Sequence, residues 1–423
     1  MILFTQLRKY GIFCAKRLTF QGGNLKMNFV FISPNFPYTY YRFCERLKNN
    51  GINVMGIGDC PYEELLGELK NSLTEYYKVN SLENYGEVYN AVKFFTEKYG
   101  KIDWLESNNE YWLEQDSKLR YDFQITSGIQ FNDIKNWKQK SLMKKIYEGA
   151  KIKTARQYEV STFENAKTVL NSETQYPVII KPDIGVGSNN TWKIENENEL
   201  KEFFNKKSDI KYVMEDFIEG EIYSYDAIIN SKSIPIFESM TNWGKSIADI
   251  VNKGFDLSYY VDKSIDEKLK ESGRKTVKAF NVKSRFVHLE FFKLTKPHKN
   301  VGNTGDFAAL EVNMRPAGGY TADMMNFAHA TDVYKIWADM ILKDETDIKC
   351  KEDKFCIYAS RKDEHNYVFS HEEILQKYGE KIVMMERMPE LMHETMGCFM
   401  YTACFDTKEE AFEFRDYVIK KTF

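Results

Sequence analysis

Long apolar runs, a large excess of one charge and closely paired cysteines are all missing from this chain of 423 residues. Without a run of about 18 apolar residues, an ordinary membrane-spanning helix is excluded. The formal net charge is only −3, so no basic field exists that would bind nucleic acid by neutralising phosphates. With 23 glycines and 9 prolines, the chain has too few of either to be collagen-like or a Gly/Pro-rich disordered protein. We therefore expect a globular protein whose partners are neither membranes nor nucleic acids.

The seven cysteines are scattered along the chain, and none belongs to a CxxC pair. This usage is typical of reduced thiols rather than of a disulfide framework, and it favours a cytoplasmic location. The first 26 residues contain five basic side chains and no acidic one. Lys16-Arg17 interrupts their short apolar stretch, so a secretory signal is not indicated. We interpret 1–26 as a basic N-terminal extension, with an organelle-targeting or membrane-surface role as the alternative.

From Met27 onward, short apolar strand patterns alternate with amphipathic helical patterns over about 100 residues. Strands are predicted at 28–33, 52–57, 75–79 and 102–106, and helices at 38–50, 84–99 and 110–123. Such alternation predicts a parallel sheet covered by helices, with ligands at the C-terminal edge of its strands. A more polar stretch at 132–138 predicts a domain boundary.

The first motif that carries chemistry is Val178-Ile-Ile-Lys181, an apolar strand that ends in a lysine. It is followed by a loop that contains Gly185, Gly187 and Ser188. A lysine at a strand end can meet phosphate oxygens as a fixed charge, and glycines let backbone N–H groups close over phosphates. The alternative is a simple strand–turn–strand with an exposed lysine.

The second motif is Glu215-Asp-Phe217-Ile218-Glu-Gly-Glu221, which follows an apolar strand. Main-chain groups of such a stretch can pair with the edge of an adenine, and a carboxylate downstream can accept hydrogen bonds from ribose hydroxyls. The alternative is a β-turn with solvated acids.

The third motif, Glu311-Val-Asn313-Met-Arg315, is the most specific and leads into Gly318-Gly319. Positions i and i+2 of a strand share a face, so Glu311 and Asn313 would present two hard oxygen ligands suited to Mg²⁺. Arg315 would follow the strand, where a guanidinium can reach phosphate or carboxylate. Upstream, His288-Leu-Glu290 offers a further carboxylate on a strand, and a structural role is favoured for His288 over a proton-handling one.

Taken in this order, the motifs resemble those of the ATP-grasp superfamily over roughly residues 27–345. Within it, the chain is similar to the carboxylate–amine ligases, which include D-alanine–D-alanine ligase, L-amino acid ligases and the large chain of carbamoyl-phosphate synthetase. The helix that begins at Lys140 looks like the family's phosphate-binding helix. Gln139 stands where members often have Asp, and Lys144 and Lys145 are competing candidates.

The resemblance implies a role for each matching position. Lys140 and Lys181 would hold ATP phosphates, and Arg315 would be the catalytic residue that steadies the transferring phosphate. Gly185, Gly187 and Ser188 would form the closing loop. Main-chain groups of Glu215, Phe217 and Ile218 would meet adenine, and Glu221 the ribose. Glu290, Glu311 and Asn313 would bind two Mg²⁺ ions, for which Mn²⁺ is an alternative.

The implied fold is α/β, with a parallel-sheet domain at 27–135, a two-lobed ATP-grasp domain at 136–345 and a small α+β module at 346–423. The implied function is an ATP- and Mg²⁺-dependent ligase that joins a small-molecule carboxylate and an amine through an acylphosphate. Phosphotransfer, carboxylation through carboxyphosphate and non-catalytic nucleotide binding are the alternatives. A homodimer is the default expectation for its assembly.

Overall fold

A computed structural model describes residues 26–185, 190–244 and 254–422. It contains three β-sheets, and the α/β fold class predicted from the sequence is confirmed. None of the helices in the described ranges is long and apolar enough to cross a membrane. The six cysteines within these ranges are free thiols.

The N-terminal part is a four-stranded parallel sheet in the order β3-β2-β1-β4. One of its two inner strands has the sequence NFVFI and is buried along its whole length. The strands are β1 (Asn28–Ile32), β2 (Asn53–Gly58), β3 (Glu75–Lys78) and β4 (Trp104–Glu106). The helices are α1 (Tyr41–Asn49), α2 (Gly67–Ser72), α3 (Tyr85–Tyr99) and α4 (Leu113–Asp122).

A smaller four-stranded antiparallel sheet follows, in the order β5-β8-β6-β7. Its strands are β5 (Gln157–Val160), β6 (Val178–Pro182), β7 (Trp192–Ile194) and β8 (Tyr212–Asp216). The helices of this region are α5 (Lys135–Lys138), α6 (Lys140–Gly149), α7 (Phe163–Ser172) and α8 (Glu197–Lys206).

The rest of the chain forms one large antiparallel sheet of eight strands, in the order β13-β12-β9-β10-β11-β14-β16-β15. The first five strands are β9 (Gly220–Ile229), β10 (Pro235–Gly244), β11 (Ser258–Val261), β12 (Arg285–Leu294) and β13 (Phe307–Asn313). The last three are β14 (Phe355–Arg361), β15 (Ile382–Arg387) and β16 (Phe399–Phe405). The strands after residue 346 therefore extend the large sheet instead of forming a sheet of their own.

Six helices cover this sheet in the described ranges. They are α9 (Glu267–Ala279), α10 (Thr321–His329), α11 (Val333–Lys343), α12 (His371–Tyr378), α13 (His393–Met396) and α14 (Lys408–Val418). Helices α10 and α11 share one apolar core with the N-terminal sheet and the large sheet. Trp337 of α11 packs edge-on against Phe29 and Phe43, at centroid distances of 5.8 and 5.0 Å. This shared core holds the parallel sheet next to the large sheet.

Candidate functional site

Two neighbouring strands of the large sheet place two carboxylates side by side. Glu290 on β12 lies directly opposite Glu311 on β13, and the Asn313 amide donates to Glu290 Oε1 at 3.4 Å. No group of three or more acidic, histidine or cysteine side chains in the described ranges could hold a metal ion unaided. Two carboxylates and an amide oxygen nevertheless form a hard donor set that fits Mg²⁺, whose remaining ligands are usually water and substrate phosphates.

A histidine fixes the first of these carboxylates from within the sheet. His288 Nδ1 lies 2.7 Å from Asp226 Oδ1, and its Nε2 lies 3.2 Å from Glu290 Oε1. Burial lowers the pKa of His288, but Asp226 and Glu290 together raise it to about 9. Asp226 also accepts hydrogen bonds from Ser224 at 2.6 Å and Thr241 at 3.1 Å. The structural role expected for His288 fits this geometry, and Asp226 is a supporting residue that no sequence motif indicated.

Lys140 connects the first turn of α6 to the carboxylate pair. Its Nζ lies 3.3 Å from Glu311 Oε1 and donates to the carbonyl oxygen of Gly185 at 3.0 Å. The side chain is largely buried, so its charge acts in surroundings where water screens it weakly. Among the lysines that compete for the phosphate role, Lys140 is the one that contacts a proposed metal ligand.

Two other buried lysines share the carboxylate of Glu215. Lys181 Nζ lies 2.8 Å from Glu215 Oε2, and Lys144 Nζ lies 3.2 Å from Glu215 Oε1. Burial raises the pKa of Glu215, but Lys144 and Lys181 outweigh that effect and lower it to about 2. Burial lowers the pKa of Lys181, whereas Glu215 and, more weakly, Glu311 and Glu290 raise it above its usual value. Lys144 thus belongs to the site as a partner of Glu215, in addition to Lys140.

The connection between β8 and β9 contains main-chain groups that have no hydrogen-bond partner among the described residues. No peptide group of Phe217 or Ile218 takes part in a hydrogen bond with other described residues. The Ile218 side chain is buried against Leu294 and Ala308 of the large sheet, which fixes this connection between the two antiparallel sheets. A strand-like segment with unpaired peptide groups can bind the edge of a flat heterocycle, as the sequence predicts for adenine.

Arg315 follows β13 and lies beside a carboxylate from the N-terminal sheet. Burial raises the pKa of Glu290, but His288 and, more weakly, Arg315 lower it below its usual value; the charge of Arg315 also acts to lower the pKa of Glu110. Glu110 follows β4, is buried and accepts a hydrogen bond from Met314 N at 3.3 Å. Burial raises the pKa of Glu110 above its usual range.

A small cavity is lined by Glu110 together with Glu311, Asn313 and Gly185. No motif contains Glu110, but its place after a parallel strand is a signal that could have identified it.

A buried ion network holds the N-terminal sheet against this site. Arg120 and Arg285 each place a guanidinium nitrogen 2.9 Å from Glu106 Oε2. Arg285 begins β12 and also donates to the carbonyl oxygen of Met314 at 2.9 Å. Breaking a buried pair of this kind leaves an uncompensated charge, so the network resists separation of the two parts.

Glu221 is the predicted residue that the structure does not bring to the site. It pairs with Lys293 across β9 and β12, whereas Ser224 pairs with Glu290 on the same two strands. Because side chains alternate between faces, Glu221 lies on the face opposite to Glu290. Its carboxylate there accepts hydrogen bonds from Tyr223 and Asn242, each at 3.3 Å. To bind the ribose on the same side as Glu290, the side chain would have to lie on the other face of β9, where the neighbouring residue is Ile222.

Of the loop residues predicted to close over phosphates, only Gly185 is described. Its carbonyl oxygen meets Lys140, as given above. Gly187 and Ser188 lie outside the described residues.

This chain is similar to known proteins in sequence and in fold. Residues 138–318 match the family model of the ATP-grasp domain. D-alanine–D-alanine ligase B of Clostridium perfringens (strain 13 / Type A) is 26% identical over 223 residues, which are 50% of this chain and 69% of that protein.

Solved structures match nearly the whole length. An L-amino acid ligase from Bacillus licheniformis superposes with a TM-score of 0.68 at 15% identity, over 92% of this chain and 96% of that one. An N5-carboxyaminoimidazole synthetase from Staphylococcus aureus superposes with a TM-score of 0.69 at 14% identity, over 93% and 98%. These structures share the fold of this chain, and its residues 138–318 are similar to the ATP-grasp domain.

Proposed function

We propose that this chain is an ATP- and Mg²⁺-dependent ligase that joins a small-molecule carboxylate to an amine through an acylphosphate. A carboxylate oxygen of the substrate attacks the γ-phosphorus of ATP, and the bond to the β,γ-bridging oxygen breaks to release ADP. The amine nitrogen then attacks the acyl carbon, phosphate leaves and the nitrogen loses a proton. The product is an amide or peptide bond.

The observation that carries this proposal is the contact of Lys140 with Glu311. It places a lysine proposed to bind ATP phosphates next to a proposed metal ligand. Phosphoryl transfer depends mostly on positioning and charge neutralisation. Lys140 and Lys181 would neutralise phosphate oxygens, and Arg315 would steady the phosphoryl group during transfer. The main-chain groups of Phe217 and Ile218 would orient the adenine. Mg²⁺ ions held by Glu290, Glu311 and Asn313 would supply further charge neutralisation at the phosphates.

Glu110 favours an amine as the second substrate. It is a buried carboxylate near Arg315, and its raised pKa reflects the cost of burying its charge without an equal counter-charge. A substrate ammonium group would provide that counter-charge. We infer that Glu110 binds the amino group of one substrate, at the point where the parallel sheet meets the ATP-grasp domain.

Carboxylation through carboxyphosphate is the second candidate, because an N5-carboxyaminoimidazole synthetase has the same fold over nearly the whole chain. In that reaction, bicarbonate replaces the organic carboxylate as the group that attacks ATP. We further propose the domain division 27–135, 136–345 and 346–423, preceded by the extension 1–26, with the last module attached to the large sheet.

The test is a screen of carboxylates, including amino acids and bicarbonate, with Mg·ATP and hydroxylamine. The proposal expects a carboxylate that yields both ADP and a hydroxamate, and a Glu311→Gln variant that yields neither. A stable phosphorylated product, or ADP release stimulated by bicarbonate alone, would overturn it. Lys206→Ala, an exposed change on α8, is the control that should keep full activity.

A further inference from the structure

β15, the edge strand of the large sheet, has four exposed residues out of six. β15 pairs with β16 on one side, and no strand of the described residues pairs with its other side. Val383 and Met385 are 39% and 43% exposed, although both are large apolar residues. An open strand edge with an apolar centre is a template for pairing with another strand.

The charges that flank this apolar centre have a self-complementary order. The exposed segment reads Glu380-Lys381-Ile-Val-Met-Met-Glu386-Arg387, so each end carries one acid followed by one base. Glu380, Lys381 and Glu386 form no ion pair with other described residues, while Arg387 pairs with Asp363. Three of the four charges therefore form no ion pair within the part of the chain that the structure describes.

Only one of the two ways of stacking this strand on itself satisfies these charges. Parallel pairing in register would set each charge against an identical one, which is unfavourable. Antiparallel pairing about a two-fold axis between Val383 and Met384 would set Lys381 against Glu386, and Glu380 against Arg387. The apolar residues would then face each other in the centre. Repulsion between like charges therefore disfavours parallel pairing, which could continue from copy to copy. The antiparallel, two-fold pairing uses the free edge of both strands and is complete with two copies.

We propose that β15 is the interface at which a second copy of this chain docks, so that two large sheets join edge to edge in a symmetric dimer. The partner is a copy of the same chain because the segment is complementary to itself in both charge and apolar pattern. The bulge between Ile382 and Met384 bends the strand, which limits the pairing to a short, specific register. The inference does not depend on the proposed ligase activity.

The experiment measures the dimer dissociation constant of the full chain by sedimentation velocity. Lys381→Glu and Glu386→Lys each replace two attractive contacts by two repulsive ones, so each should weaken the dimer at least about tenfold. The double swap Lys381→Glu/Glu386→Lys restores opposite charges and should return the constant to about the wild-type value. Glu97→Lys, the same charge change on the exposed face of α3, should have no effect.

Hydrogen exchange on the unmodified chain gives a second readout that needs no variant. Amides of residues 382–387 should become better protected as protein concentration rises through the dissociation constant, while those of α3 should not. A wild-type chain that stays monomeric at all concentrations would show that the charges and bulge only protect the edge, and would overturn the proposal. A dimer that ignores the single swaps, or that the double swap fails to restore, would place the interface elsewhere and would also overturn it.

Discussion

The two faces of β9 and β12 differ sharply, although the same two strands build both. Along the middle of these strands, one face carries Asp226, His288 and Glu290, and this is the polar face. The other face carries Tyr225 and Leu289, which pack against α9 in an apolar core. Because side chains alternate along a strand, a residue one position further along lies on the apolar face instead of the polar face. Strand register therefore decides which residues can belong to the site.

Glu311→Gln on the polar face has the largest expected effect. It removes one charge from the carboxylate pair and the partner of Lys140, so kcat/KM for ATP-dependent turnover should fall at least about a hundredfold. The thermal midpoint should change by no more than a few degrees, since the side chain is only partly buried. Steady-state kinetics and a melting curve check both. Wild-type turnover would remove Glu311 from the site.

Leu289→Ala on the apolar face should show the reverse pattern. Leu289 is fully buried, and deletion of a buried leucine side chain typically costs about 2–5 kcal/mol of unfolding free energy. The ATP dissociation constant of the folded variant should stay within about twofold of wild type. Urea denaturation and calorimetry measure the two quantities. A stable variant that has lost ATP affinity would show that the two faces are not separate.

Lys181→Ala tests the small sheet that faces the polar side. Loss of one charge-assisted contact to phosphate is expected to weaken ATP binding by about 10- to 100-fold. Lys144 remains to neutralise Glu215, so the fold should persist. Isothermal calorimetry with Mg·ATP gives the affinity, with Lys206→Ala as the matched control. Unchanged affinity would count against the phosphate role of Lys181.

His329 sharpens the comparison, because it is a buried histidine on the polar side without a carboxylate. Its Nε2 lies 2.8 Å from Ser239 Oγ, and burial lowers the pKa of His329 to about 4. The unfolded chain binds a proton at about pH 6.5, so this contribution to stability is present at pH 7 and is lost as pH falls toward 4. Between pH 7 and pH 5 the loss should be about 2 kcal/mol. Urea denaturation should show that loss in wild type and much less of it in His329→Gln; equal losses would refute the assignment.

Glu221→Gln has the smallest expected effect and is the most selective test of register. The residue has the type of a site acid but lies on the face opposite to Glu290. The ATP dissociation constant should therefore change by less than about twofold. Calorimetry that instead found a tenfold loss would restore the ribose role predicted from the sequence.

Much of the fold could be predicted from the sequence, because most strands and helices carry strong local patterns. Two features could not. β11 has only four residues, and its pairing with β10 and β14 joins segments far apart in the chain. The attachment of the last three strands to the large sheet depends on that same pairing. Local pattern gives no information about such long-range partners.

The candidate site divides along a similar line. The i, i+2 spacing of Glu311 and Asn313 predicted a shared face, and the structure brings both to Glu290. Glu221 was placed by motif alone, and the register of β9 against β12 puts it on the other face. Glu110 was missed because its position beside Met314 depends on how the N-terminal part of the chain packs against the large sheet, which a single motif cannot show.

The proposed acylphosphate can be tested by isotope transfer. Once the screen has identified a carboxylate substrate, that substrate is labelled with ¹⁸O in its carboxylate group, and the reaction runs with Mg·ATP and the amine. The attack on the γ-phosphorus predicts one ¹⁸O atom in the released phosphate and one oxygen fewer in the acyl product. Unlabelled phosphate, with amide formed at the normal rate, would contradict the account.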